Sequence, residues 1–137
     1  MDRVVVDSSV MVKLFLDEAY SEKAYALRDS FISKNIEITV SSILPYEMLN
    51  ALRYSGGYSE KELVDISLVI IGYNFSTVDV DALFLENLVK IAEKYDITVY
   101  DASYVVSAIM SKSTFYTADQ KLIDAVRLPF VKHIKDY

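Results

Sequence analysis

The chain has no cysteine and no tryptophan, a single histidine, two prolines and three glycines. Without cysteine there is no disulfide, no thiolate zinc site and no thiol nucleophile. One histidine, His133, argues against a zinc site built on imidazoles and against a Ser-His-Asp triad. Its position near the C-terminus reads most simply as a surface residue. No apolar run approaches the roughly 20 residues that cross a bilayer. Met1-Asp2-Arg3 lacks a signal-peptide layout, so a soluble, cytoplasmic protein with no membrane partner is expected. No Pro/Gly/Ser-rich linker, internal repeat or low-complexity segment interrupts the 137 residues, so one domain over 1–137 is expected. Basic residues are also in deficit: 14 against 20 acidic, a net charge of −6. That excludes passive, charge-driven attachment to nucleic acid.

Apolar side chains, by contrast, are plentiful. They make up 53% of the residues, and mean hydropathy is positive. The surplus points to a buried helix or a subunit interface. Short apolar runs read as strands at Val4–Val6, Ile36–Val40, Phe75–Val78, Ile97–Val99, Thr114–Tyr116 and Phe130–Val131. Helical periodicity fills most gaps between them: Ser21–Ser33, Ser42–Arg53 with Pro45 in its first turn, Leu63–Ile71, Asp81–Tyr95, Ala102–Lys112 and Gln120–Val126. Ser59 and Glu62 form a capping-box pair, and Gly56-Gly57 and Gly72 stand where helices should stop. Ala102–Lys112 is apolar nearly all round and reads as a central helix. Strands alternating with helices predict a three-layer α/β/α domain around a central, mainly parallel sheet.

Four acids occupy comparable points in this pattern. Asp7 closes the first strand, Glu47 lies in the first turn of an apolar helix, Asp101 opens the most apolar helix, and Asp119 follows a strand. Helix capping explains Asp7, Asp101 and Asp119 one at a time, and the helix dipole explains Glu47. Their joint placement favours a site, because parallel strands bring their C-terminal ends to one edge. Clustered carboxylates repel, and a divalent cation relieves the repulsion. All-oxygen ligands select Mg²⁺ or Mn²⁺ over zinc. Ser9 either sits in a first helical turn or orients Asp7, Asn50 shares a helix face with Glu47, and Thr117 can hydrogen-bond to Asp119.

Val4-Val5-Val6-Asp7-Ser8-Ser9-Val10, Pro45-Tyr46-Glu47-Met48-Leu49-Asn50-Ala51-Leu52, Tyr100-Asp101-Ala102-Ser103-Tyr104 and Thr117-Ala118-Asp119 resemble, in order and separation, the four acidic motifs of PIN-domain ribonucleases. Within that family the pattern is most similar to VapC-type toxins of toxin–antitoxin pairs. Lys13 and Phe15-Leu16 share the likeness, which spans about residues 3 to 126. Some PIN proteins carry a further acid directly behind the fourth motif; here the next is Asp124, a minor candidate. The resemblance implies a Mg²⁺- or Mn²⁺-dependent endoribonuclease. Asp7, Asp101 and Asp119 would be the metal-site acids, Glu47 would bind metal or orient the attacking water, and Ser9, Asn50 and Thr117 would position them. It also implies a cognate antitoxin that blocks the cleft, and a homodimer or higher homo-oligomer. Lys13, Arg53, Lys112 and Lys121 are candidates for phosphate contact, with solvated surface charge as the plainer explanation.

Three other readings compete. A receiver domain needs paired acids after its first strand, and Ser8-Ser9 stand there instead. A haloacid-dehalogenase-like phosphatase needs Asp-x-Asp, and position 9 is Ser9. A catalytically silent PIN-like scaffold remains, with the retention of all four acids against it.

Overall fold

The computed structural model describes all 137 residues. Five strands form one sheet: β1 Asp2–Val6, β2 Ile36–Val40, β3 Ser76–Thr77, β4 Thr114–Thr117 and β5 Val131–His133, in the order β3-β2-β1-β4-β5. Every pairing is parallel, with Val4 opposite Ile38 on one side and Thr114 on the other. Val4, Val5 and Val6 are all buried. A continuous apolar run rather than an alternating one is what a central parallel strand requires, because helices cover both of its faces.

Seven helices provide that cover: α1 Ser8–Met11, α2 Ser21–Ile32, α3 Leu44–Ser55, α4 Glu60–Tyr73, α5 Ala82–Tyr95, α6 Val99–Ser111 and α7 Gln120–Val126. The chain steps outward from β1 to β2 to β3, then returns to β4 and steps on to β5. Right-handed crossovers therefore put α1–α4 on one face and α5–α7 on the other. That gives three layers, with the reversal of direction between β1 and β4.

Helix α6 is the centre of the second layer. Ala102 through Ala108 are all buried, and the helix packs on β1, β2 and β4. Phe115, wholly buried on β4, stacks on Tyr104 of α6 with ring centroids 5.9 Å apart. Truncating Phe115 to alanine would cost about 3–5 kcal/mol. The capping box forms as the sequence predicts: the Glu62 N–H donates to Ser59 Oγ at 3.2 Å, and the Ser59 N–H donates to Glu62 Oε1 at 3.0 Å.

Several boundaries differ from the sequence reading. Ile97–Val99 is not a strand: α6 begins at Val99, and Thr98 caps it by accepting the Asp101 N–H at 3.0 Å. Two helices, α5 and α6, are thus joined by three residues where a strand was expected. A local cap outcompetes a β-rich tripeptide too short to pair. Phe75–Val78 shrinks to the two-residue edge strand β3. Helix α3 starts at Leu44 rather than Ser42, because Ser41 and Ser42 carry the chain out of β2. Gly56 ends α3 with φ +74°, but Gly72 lies inside α4, which is closed by Asn74.

Candidate active site

The C-terminal edge of the sheet, at the reversal between β1 and β4, gathers the acids. Asp7 stands immediately after β1, at the start of α1, in the place of a helix cap. Its side chain makes no cap hydrogen bond of normal geometry, although the Val10 N–H is near enough to favour its charged form. Instead Oδ1 accepts the Ser9 hydroxyl at 2.5 Å and Oδ2 accepts the Thr117 hydroxyl at 2.6 Å. Each hydroxyl in turn accepts a backbone N–H, Ser9 Oγ from Ala118 at 2.9 Å and Thr117 Oγ1 from Asp119 at 3.1 Å. The two amides leave each hydroxyl proton free to point at the carboxylate, so both of its oxygens are held. Asp7 is buried, and burial pushes its carboxyl up to about 6; the Ser9 and Thr117 hydroxyls and the Val10 N–H pull against that, while the Asp101 charge adds to it.

Asp101 reaches this edge on the first turn of α6 rather than from a strand end, and it is not the cap: Thr98 is. Burial raises its pKa first, and the charges of Asp119 and Glu47 raise it further. Glu47 and Asp119 are thus near enough for their charges to act on Asp101. Asp119 caps α7, with Oδ1 accepting the Leu122 N–H at 3.2 Å, so for this residue the capping explanation is also true. Glu47, half-buried in the first turn of α3, accepts the Tyr104 hydroxyl at 2.6 Å. Burial and Glu47 both hold that hydroxyl well above the usual tyrosine range, so it stays a donor.

None of the four acids is paired with a base; the ion pairs lie at Arg3–Glu37, Lys13–Glu18, Arg28–Asp29 and Lys90–Glu86. The donor set fits a hard divalent cation, being all oxygen, single-signed and uncompensated. The spacing is looser than a finished cage, since no three His, Asp or Glu side chains close on one metal-ligating point. Of the four, Asp119 is exposed and Glu47 and Asp101 are half-buried.

Other expected residues lie elsewhere. Asn50 is exposed and, with Leu49, Arg53, Leu63 and Val64, lines a groove of about 650 Å³ between α3 and α4. Lys13 is buried and ion-paired to Glu18 at 3.0 Å, which removes it as a phosphate contact. Lys112 ends α6 beside Asp2, Arg3 and Thr114, at the opposite edge of the sheet. Asp124 is exposed and accepts a hydrogen bond from Gln120 at 2.9 Å. Lys121, two residues past Asp119, is the one cation of the four beside the acids, and it is exposed. His133 is half-buried, edge-on to the Tyr20 ring. Tyr104 went unread in the sequence as a site residue. Its signal was the spacing of three from Asp101, which puts both on one helical face.

Residues 4–128 match the PIN domain. The chain belongs to the PIN-domain family. Solved structures agree on the fold. The protein PAE2754 of Pyrobaculum aerophilum superposes with a TM-score of 0.69 at 19% identity, covering 98% of this chain and 91% of that one. VapC20 of Mycobacterium tuberculosis, described as a sarcin-ricin loop cleaving toxin, gives 0.68 at 17% identity over 89% and 94%. VapBC2 of Rickettsia felis, solved with a DNA fragment from the promoter of its pair, gives 0.67 at 18% over 96% of each chain. Among curated proteins none is significantly similar in sequence. Identities this low establish architecture alone. No helix is long and apolar enough to cross a membrane.

Proposed function

We propose that this PIN domain is a metal-dependent endoribonuclease, the toxin of a cytoplasmic toxin–antitoxin pair. What supports the proposal is that Asp101, from a third segment, feels the charges of Glu47 and Asp119 and itself acts on buried Asp7, with no base ion-paired to any of the four. A buried carboxylate raised to about 6 is an expensive arrangement for a mere helix start, and the close hydrogen bonds of the Asp7 side chain come from the Ser9 and Thr117 hydroxyls.

Asp7, Asp101 and Asp119 would hold Mg²⁺ or Mn²⁺, which supplies a water of lowered pKa and neutralises charge building on the phosphate. Ser9 and Thr117 fix the plane of the Asp7 carboxylate, so its free lone pairs point one way. Glu47 would bind metal or accept a proton from the attacking water. Asn50, on the α3–α4 groove, would serve binding rather than position Glu47. Lys121 and exposed Tyr100, each within two residues of an acid, would meet RNA beside the cleft. A basic side chain of an antitoxin would neutralise the same acids. Exposed Val64, Leu68, Val69 and Ile71 on α4 supply an apolar face for pairing, whether in a homodimer or with the antitoxin.

The looseness of the acid cluster favours one competing reading, a silent scaffold that never closes on an ion. Purified protein incubated with RNA separates the two. Cleavage that EDTA stops and Mn²⁺ or Mg²⁺ restores supports the nuclease; intact RNA under all three conditions supports the scaffold. Expression in a bacterial host should slow growth, and Asp119→Asn should relieve it.

A further inference from the structure

Glu47 has a positional problem that the rest of the cluster lacks. Asp7 is pinned by two hydroxyls and Asp101 sits on a buried helix, but Glu47 extends from α3 on a side chain with three rotatable bonds. Helix α3 packs mainly on α1 and α4, away from α6. Glu47 is also half exposed to water, and the Asp101 charge repels it. Left alone, a glutamate so placed would turn outward and lower both its repulsion and its loss of rotamer freedom.

One contact opposes this. The Tyr104 hydroxyl donates to Glu47 Oε1 at 2.6 Å and links α6 to α3. The donor itself is fixed: Tyr104 is 1% exposed, its ring lies 20° from parallel to the Phe115 ring, and Phe115 belongs to the same strand as Thr117. A rigid aromatic arm thus runs from the core beneath β4 to one oxygen of Glu47. The other oxygen, Oε2, accepts no protein donor. We propose that Tyr104 is a positioning residue, which holds Glu47 inside the acid cluster and presents Oε2 to the cation or its water. Neither Ser9 nor Thr117 reaches Glu47, so no other side chain performs this task.

The inference rests on the metal-dependent reading above and adds to it a residue that touches neither metal nor RNA. Tyr104→Phe is the direct test, because it keeps the ring and its stacking and removes only the hydroxyl. Mn²⁺ binding is read by calorimetry on the purified protein and RNA cleavage at a series of Mn²⁺ concentrations. The expected result is an Mn²⁺ affinity weakened about tenfold or more, with much of the cleavage rate recovered at saturating Mn²⁺. Adding Glu47→Gln to Tyr104→Phe should then weaken binding little beyond Glu47→Gln alone, since the hydroxyl acts through that carboxylate. Parental affinity in Tyr104→Phe, or full additivity in the double variant, overturns the role of Tyr104 while leaving the nuclease reading intact. A parent protein that binds no Mn²⁺ and cuts no RNA overturns both.

Discussion

The two ends of the parallel sheet are built from the same kinds of residue and come out differently. At the N-terminal edge, Asp2, Arg3, Lys112, Ser113, Tyr116 and Tyr137 surround a cavity of about 690 Å³. Its charges are of both signs, and Arg3 is paired to Glu37 at 3.3 Å with both side chains more than half exposed. At the C-terminal edge four acids stand without an ion pair, Asp7 is buried, and the nearby cation Lys121 is exposed and bridges to none of them. The end with the cavity is therefore not the end whose acids lack a partner. A cavity with neutralised, hydrated charges gains little from an entering ion, whereas a buried carboxylate with further acids around it and no base is stabilised by a cation that enters. Strand direction explains the asymmetry, since the loops after parallel strands and the reversal between β1 and β4 both lie at the C-terminal edge.

The sharpest way to break this comparison is one substitution at each end. Asp101→Asn removes a charge from the acid edge and keeps its size and its place in the first turn of α6. Cation stabilisation of a developing phosphate charge is worth several kcal/mol, so metal-dependent RNA cleavage should fall on the order of 10³-fold. Lys112→Ala at the other end should change it less than about twofold, as exposed charges far from a site do at ordinary ionic strength. Undiminished cleavage by Asp101→Asn, or an equal loss in Lys112→Ala, would remove the distinction between the ends.

How much of this was legible beforehand follows from the range of the forces involved. Strand β2 and helix α7 are found at the residues the sequence indicates, and β1 and α6 within three, because apolar runs and caps are local signals. Ile97–Val99 misled because its β-branched residues say nothing about whether a strand awaits them, and the Thr98 cap decided the matter locally. Asp7 was legible as an acid at a strand end. Of the two hydroxyl bonds that hold it, the Ser9 bond is local, but the Thr117 bond comes from 110 residues away, and no periodicity carries that information. Lys13 failed in the opposite sense: a lysine near a motif looked solvated, and its burial against Glu18 emerges only from packing.

A subtler test compares the ends through pH. The carboxyl of Asp7 is raised from 3.8 to about 6, chiefly by burial, so the native state binds the proton more tightly than the unfolded chain. Its contribution to stability is therefore full below the unfolded value and is lost as pH rises through about 6, the reverse of a salt-bridged aspartate. Two pK units correspond to about 3 kcal/mol. In EDTA, Asp7→Asn should gain on the parent in Tm between pH 4 and pH 7, and Asp101, raised in the same direction, should keep a residual slope. Saturating Mn²⁺ should stabilise the parent at pH 7 and leave Asp7→Asn almost unmoved. A parent-minus-variant difference flat across that range would mean that Asp7 carries no buried charge.

The smallest expected effect lies at the N-terminal edge and concerns backbone rather than charge. Helix α6 ends on Lys112 with φ +53°, a left-handed conformation that costs a side-chain-bearing residue about 1–2 kcal/mol. Gly56 takes the same role in α3 without that cost. Lys112→Gly relieves the strain but adds freedom to the unfolded chain, which takes back about 0.5–1 kcal/mol. The net gain should be about 0.5–1 kcal/mol, or roughly 2–4 °C in Tm for a domain of this size. Asn74→Gly at the end of α4 is the control, because asparagine already tolerates φ +52° and should gain less. RNA cleavage should be untouched in Lys112→Gly, since the residue sits at the sheet edge away from the acids. A fall in cleavage alongside a higher Tm would tie the two ends together through α6, which carries Asp101 at one end and Lys112 at the other.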